Sequence, residues 1–283
     1  MFKHLDIPVH DRQLHVVTAG KQPAPAILLL HGYPQSWLAF EDLMKLLSKD
    51  YYVLAADLPG IGDSEDIGYY DKKTLAAHLA TLVMSLGLSR IVVAGHDIGG
   101  MIAYAMLRQF PHLLDAAVIM STAIPGVEPW EEVKRNPHIW HFAYFATPAL
   151  PEAMMPGHEP LLCNYFYDTL AFNRHAVDDE KRQHYVRVYS AAAALKASLG
   201  WYRAFAEDEK ETAPEPTVAV PVLYLRGDRE PGDLSTYTEG LKNSGCTQVT
   251  GIQIDNSGHF TPEENPAGVA RAMHAFLEDN RPI

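Results

Sequence analysis

The stretch of this chain best suited to chemistry reads "VAGHDIGG", residues 93–100. Its Gly-x-Asp-x-Gly spacing is that of a sharp strand-to-helix turn. Small residues on both sides, Gly95 and Gly99, let the backbone fold tightly and thrust the middle side chain outward. A serine in that place attacks carbonyl carbons. Asp97 is instead a carboxylate with a reference pKa of about 3.9, so it needs no activating base to be charged at neutral pH. The N-terminus of the following helix also favours its ionised form. Such a group displaces a leaving group at a saturated carbon and is left as an alkyl ester, which water must then cleave. The competing reading is an aspartate that merely caps the helix. The flanking glycines, and His259 in the late segment "DNSGHF", favour the nucleophile.

Elements that could position these residues are visible on either side. The runs "PAILLLHGYP", "YYVLAADLPG" and "SRIVVAGHDIGG" are continuously apolar and end at His31-Gly32, Asp57 and Asp97. They read as strands buried on both faces of a parallel sheet. Helical patterns separate them, as in "SWLAFEDLMKLLSKD", "DKKTLAAHLATLVMSLGLS" and "GMIAYAMLRQFPHLL". That alternation predicts an α/β, doubly wound sheet. The opening "FKHLDIPVHDRQLHVVTAG" suits an antiparallel hairpin at the sheet edge, and "VPVLYLRGD" and "VTGIQIDNSGHF" supply late strands before a closing helix, "NPAGVARAMHAFLEDN". About ninety residues between them lack a buried-strand run, too many for one loop. They are aromatic-rich and helical in period, as in "IWHFAYFA" and "VRVYSAAAALKASLGWYRAFAED". The chain therefore reads as a core domain, residues 1–125 and 217–283, carrying an inserted helical cap at 126–216. Pro214, Pro216 and Pro221 mark the return.

Composition sets the outer bounds. With 283 residues, 47% of them apolar and 20% charged, the chain can bury one large core. The net charge of −12 argues against nucleic acid or an anionic membrane surface as partner. Two cysteines, Cys163 and Cys246, suggest neither a disulfide framework nor a Cys-rich metal site. The chain has no HExxH helix or GxGxxG loop, so no metal or organic cofactor is expected. The opening "MFKHLDIPVH" lacks an apolar signal core, which makes the cytoplasm the expected location.

The pieces "HGYPQSW", "DLPGIGDS", "GHDIGG" and "NSGHF", in this order around a helical insertion, resemble the α/β-hydrolase fold over nearly the whole chain. Four motifs in register are far more specific than any one alone. An aspartate nucleophile narrows the resemblance to the epoxide hydrolases and the haloalkane and haloacetate dehalogenases. The resemblance implies that His259 is the base that activates water in the ester-cleaving step, and a reference pKa near 6.5 suits that task. It implies an oxyanion hole built from the backbone N–H groups of Tyr33 and Ile98. A histidine base needs a carboxylate to hold its tautomer. Relatives carry that acid after either of two strands. Ser121 occupies the first place and cannot serve. The second, "YLRGDREPGD", offers Asp228, Glu230 and Asp233, and by position Glu230 is favoured.

The leaving group decides the enzyme. Haloalkane dehalogenases follow the nucleophile with tryptophan and place a second halide donor just after the His-Gly pair, where this chain has Ile98 and Tyr33. Fluoroacetate dehalogenases follow the nucleophile with arginines, and "DIGGM" has none. In the insertion, His141 and Tyr202 stand where the Cif-like epoxide hydrolases carry a His/Tyr pair that donates to the epoxide oxygen. Haloacetate dehalogenases share that pair but add a tryptophan after the histidine; here it is Phe142. The resemblance therefore implies an epoxide hydrolase that forms a vicinal diol from a small-molecule epoxide and water. Hydrolytic dehalogenation is the alternative. Trp37, Trp140, Phe142 and Trp201 are candidate pocket walls, and Tyr144, Tyr185 and Tyr189 are reserve donors. Relatives with this kind of cap are often dimers, so a homodimer is an open expectation.

Overall fold

In the computed structural model, which describes residues 2–211 and 216–280, the chain opens with a hairpin. β1 (Lys3–Val9) and β2 (Arg12–Ala19) pair antiparallel around a two-residue turn whose first residue, His10, takes a positive φ of 55°. Positive φ gives a hairpin turn the twist of its flanking strands. Then come β3 (Ala26–Leu30), a 3-10 turn at Trp37–Phe40, α1 (Glu41–Leu47), β4 (Tyr52–Ala56), α2 (Lys72–Ser85), β5 (Ile91–His96), α3 (Ile98–Gln109) and β6 (Leu114–Met120). β3 and β5 are buried at every position, as their unbroken apolar runs require.

Among the described residues, the α-helices that follow β6 before the next strand are α4 (Trp130–Arg135), α5 (His141–Ala146), α6 (Leu150–Met154), α7 (Glu159–Leu170), α8 (Asp179–Tyr189), α9 (Ala192–Arg203) and α10 (Phe205–Asp208). The chain re-enters the sheet as β7 (Val222–Gly227), directly after Pro221, then forms α11 (Leu234–Asn243), β8 (Val249–Ile254), α12 (Thr261–Glu264) and α13 (Pro266–Asp279). Pro216 lies just before this return, whereas Pro214 lies outside the described residues. The sheet runs β1-β2-β4-β3-β5-β6-β7-β8, with β1/β2 and β2/β4 antiparallel and every other pair parallel. Among the described residues, no helix is long and apolar enough to cross a membrane.

Strand alternation sends successive side chains to opposite faces. Leu28, Leu30 and Val93 pack with Leu75, Leu79 and Ile102 on one side; Ile27, Leu29 and Val92 pack with Leu43, Met273 and Phe276 on the other. Each such buried side chain contributes about 1.5–3 kcal/mol of transfer free energy.

The sequence reading departs from the structure in two elements. The run expected to be helical from Val186 onward is broken at Ser190-Ala191, where α8 ends and α9 begins. Ala191 is extended (φ −76°, ψ 136°), and the Ser190 hydroxyl donates to the Val186 carbonyl at 2.7 Å. Hydroxyl back-bonding of this kind competes with helix continuation. The second is α11, absent from the expected elements although its buried Tyr237, Thr238 and Leu241 trace one face of a helix.

Buried tyrosine hydroxyls fasten the inserted helices to the core. Tyr167 donates to the Pro34 carbonyl (3.0 Å), Tyr189 to the Gln35 carbonyl (3.0 Å) and Tyr185 to the Glu263 carboxyl group (2.8 Å). A buried ion pair, Lys72 to Asp208 at 2.8 Å, ties α2 to α10, with the Lys72 ammonium 4.5 Å from the centre of the Phe205 ring.

Candidate active site

The turn at Asp97 has the strained geometry that the glycine spacing demands. Asp97 sits at φ 52°, ψ −121°, between the end of β5 and the start of α3. Such backbone conformations cost on the order of 1–3 kcal/mol and persist only where surrounding structure enforces them. A Cβ at Gly95 would collide with the Gly99 carbonyl, and one at Gly99 with the Leu30 carbonyl. A Cβ at Gly32 would collide with the Asp97 carboxylate itself, so the glycine of "HGYP" clears the space that the carboxylate occupies.

The Asp97 side chain does not cap α3. Its Oδ1 accepts the backbone N–H of Tyr33 at 2.9 Å, and the Ile98 N–H also favours its charge. The two backbone donors expected to form an oxyanion hole therefore both act on the Asp97 carboxylate. Burial nevertheless pushes the Asp97 pKa above its ordinary value. The charge of His259, the two N–H groups and the charge of Lys72 pull the other way. The unperturbed value assumed from sequence alone is corrected on this point: removal from water outweighs the local donors.

His259 follows β8 in a tight loop, its Nε2 3.9 Å from Asp97 Oδ2 and its Nδ1 3.1 Å from Glu230 Oε1. Burial works against the imidazolium, but the Glu230 hydrogen bond and the charges of Glu230 and Asp97 together raise the His259 pKa above 6.5. Burial likewise works against an ionised Glu230, and is outweighed by the charge of Arg226 and the bond to His259, so its pKa is lowered. Arg226 stands 3.5 Å from Glu230 Oε1 and lies over the Tyr237 ring. Of the three acids open in the sequence, only Glu230 reaches the histidine. Asp228 accepts the Ser257 N–H at 3.1 Å, and Asp233 is exposed at the start of α11. Ser121, at the end of β6, lies beside Glu230 and helps to lower its pKa.

From the inserted helices, His141 and Tyr202 come together with ring centres 5.8 Å apart. Burial, and secondarily the His259 charge, pushes the His141 pKa down to about 3. Burial, then the Asp97 charge, holds the Tyr202 phenol well above 10. Each therefore sits within electrostatic reach of the Asp97–His259 pair while remaining uncharged. Tyr33, Phe145, Phe142 and Phe205 surround Tyr202 edge-on or tilted.

Two pocket-wall expectations are corrected. Trp37 packs with α1 and α13 on the other side of the sheet, its ring against Phe2 and His4. Trp201 is 0% exposed and has no surface to offer a ligand, because it points a third of a helical turn away from Tyr202. Phe142 stays beside His141 and Tyr202, while Trp140, 38% exposed, lies against His141 and Phe166. Tyr185 and Tyr189 spend their hydroxyls on Glu263 and Gln35, which removes them as reserve donors; Tyr144 packs against Trp140 and Phe145. Sequence reasoning passed over Arg226 and Lys72. Lys72 had a signal: it heads the stripe Leu75, Ala76, Leu79, placing a lysine on a buried helix face.

The family described as the alpha/beta hydrolase fold matches residues 25–266. The chain belongs to that family. This alpha/beta hydrolase is 29% identical over 285 residues to the soluble epoxide hydrolase of Corynebacterium sp. (strain C12), covering 97% of this chain and 96% of the relative. It is 28% identical over 300 residues to the fluoroacetate dehalogenase of Burkholderia sp., covering 99% and 95%. The solved structure of wild-type Cfl2 from Burkholderia cenocepacia superposes on the hydrolase with a TM-score of 0.89 at 32% identity, covering 97% of this chain and 95% of that one. The epoxide hydrolase and the dehalogenase span the same length and share the fold, so the reaction has to be argued from the site.

Proposed function

We propose that this hydrolase converts neutral epoxides to vicinal diols through an ester on Asp97, with residues 126–216 as a cap over the site. The observation that carries the reading is the division of labour between the two Asp97 oxygens. Oδ1 is occupied by the Tyr33 N–H, while Oδ2 faces His259 Nε2. Oδ2 forms a bond to an epoxide carbon, and the ring C–O bond breaks with its electron pair moving to the ring oxygen. That oxygen takes a proton from Tyr202 while the neutral His141 donates a hydrogen bond to it. Water then adds to the Asp97 carbonyl carbon as His259 Nε2 accepts its proton. Oδ1 carries the resulting negative charge, already held by the Tyr33 N–H with the Ile98 N–H close to the same carboxyl group. Collapse breaks the ester C–O bond at the Asp97 carbonyl carbon, and the leaving diol oxygen takes its proton from His259. Asp97 is left as a carboxylic acid whose proton passes through water to the Tyr202 phenolate, restoring both groups.

The epoxide reading is favoured over dehalogenation by Phe142, which stands where haloacetate dehalogenases add a tryptophan to the His/Tyr pair they share, and by electrostatics. Among the described residues, the cationic groups acting on Asp97 are His259, bonded to Glu230, and Lys72, paired with Asp208, so neither is free to take a haloacid carboxylate. A neutral aryl or alkyl epoxide should be turned over to its diol, as read by chromatography. Tyr202→Phe should slow ring opening by about 10²–10⁴-fold, the usual worth of a positioned acid. Halide release from fluoroacetate or a bromoalkane, with no diol from any epoxide, would establish dehalogenation instead.

The pH dependence follows from His259. The base must be neutral, so ester hydrolysis should rise with pH. Glu230 raises the His259 pKa, while esterification removes the Asp97 charge that also raises it, so the midpoint should lie below the free-enzyme value. Glu230→Gln removes the main cause of the raised value and should move that midpoint down while lowering the plateau. A single-turnover pH series on both proteins measures it; an unmoved midpoint would show that Glu230 does not set the base.

A further inference from the structure

Two of the backbone N–H groups beside His259 are held by one side chain outside the Asp97–His259–Glu230 set. Glu264, at the end of α12, accepts four backbone N–H groups. Two flank the histidine: Gly258 to Oε2 at 3.0 Å and Phe260 to Oε1 at 3.0 Å. The other two, Phe172 at 2.8 Å and Asn173 at 2.9 Å, both to Oε2, belong to the segment linking α7 to α8 in the inserted helices. The His259 N–H itself donates to Leu170 O at 3.0 Å, at the end of α7. The His259 carbonyl accepts from His96 Nε2 at 2.8 Å. Gly258 approaches so closely that a Cβ there would collide with the Leu170 carbonyl.

We infer that Glu264 is a positioning residue that clamps the base loop, residues 258–260, to the α7–α8 segment, so that the placement of His259 depends on the docking of the inserted helices. The inference rests on the proposed role of His259 as base. Bonds from four N–H groups to one carboxylate are stronger than neutral ones and lock the backbone, not only the ring. Glu230 orients the imidazole about its own axis; Glu264 holds the Cα from which that imidazole hangs. A shift of about 1 Å there is enough to cost a reaction step 10²-fold.

Glu264→Gln preserves shape but supplies one acceptor oxygen in place of two. The amide turns its oxygen to the three donors at Oε2 and faces Phe260 with N–H groups, so the loss falls on the base side. Rapid-quench kinetics with mass detection should show the Asp97 ester forming within twofold of the wild-type rate, and its hydrolysis slowed about 10–100-fold. The pH midpoint of hydrolysis should fall as the Glu230 contact, which raises the His259 pKa, loosens. Hydrogen exchange should show residues 258–260 and 171–173 losing protection together, with Glu264→Asp as a second variant should the Gln form fold poorly. Wild-type ester hydrolysis and an unchanged midpoint, or exchange confined to one of the two segments, would overturn the clamp. A His259→Gln control separates the two proposals: no ester in that control rejects the role given to Asp97 and His259, while the exchange experiment still decides the clamp.

Discussion

Asp97→Asn should lower turnover of any epoxide by at least about 10⁴-fold, the scale of loss when a nucleophile is removed and the remaining site is left intact. The carboxamide keeps the shape and keeps an oxygen for the Tyr33 N–H, but it offers no anionic oxygen to attack carbon. Neither Asp57 nor Glu230 takes its place: Asp57 is bonded to His15 and the Trp37 N–H, and Glu230 lies behind His259. The loss should come without loss of fold. Burial raises the Asp97 pKa, so ionising it makes the native state less stable as pH rises from the unfolded-state pKa through the folded one. Above that window the full penalty is present, and replacing the charge by a neutral amide should leave Tm at pH 8 equal or higher. An inactive Asn variant with an undiminished Tm, its amide verified by peptide mass, would assign the loss to chemistry. Retained diol formation would remove Asp97 from the mechanism.

His259→Gln should stop the reaction half-way. Ring opening does not use the histidine as base, so the ester should form once per chain and then persist, with steady turnover down by about 10⁴-fold. Gln can still donate an amide N–H to Glu230 to hold the loop side chain, but it cannot take a proton from water. Intact-protein mass spectrometry gives the readout. An epoxide adds its whole mass, because ring opening expels nothing; a haloalkane or haloacid adds the substrate minus hydrogen halide. A single peptide containing Asp97 should carry the increment. Rapid turnover in this variant, or an adduct elsewhere, would reject the two-step scheme. The same measurement distinguishes epoxide from halide chemistry, which fold and relatives leave open.

What the sequence determined by itself are features whose causes are local. The runs that became β3, β5 and β7 announce burial on both faces because nearly every side chain in them is apolar. Gly95 and Gly99 announce the strained turn because no larger residue fits beside the neighbouring carbonyls. His141 and Tyr202 were found through family resemblance, and the fold then brings their rings together across the separate helices α5 and α9. The tertiary structure alone decided between Glu230, Asp228 and Asp233, three carboxylates within a few residues of one another in a single loop. The choice depends on where the loop after β8 lies beside the loop after β7, a relation carried by strand pairing. It also placed Trp37 with the α1 and α13 side of the sheet, and gave Glu264 its four partners from two distant segments. The physical reason is range. Backbone conformation and burial periodicity depend on neighbours along the chain, whereas the pairing of two polar groups is set by the packing of elements far apart in it.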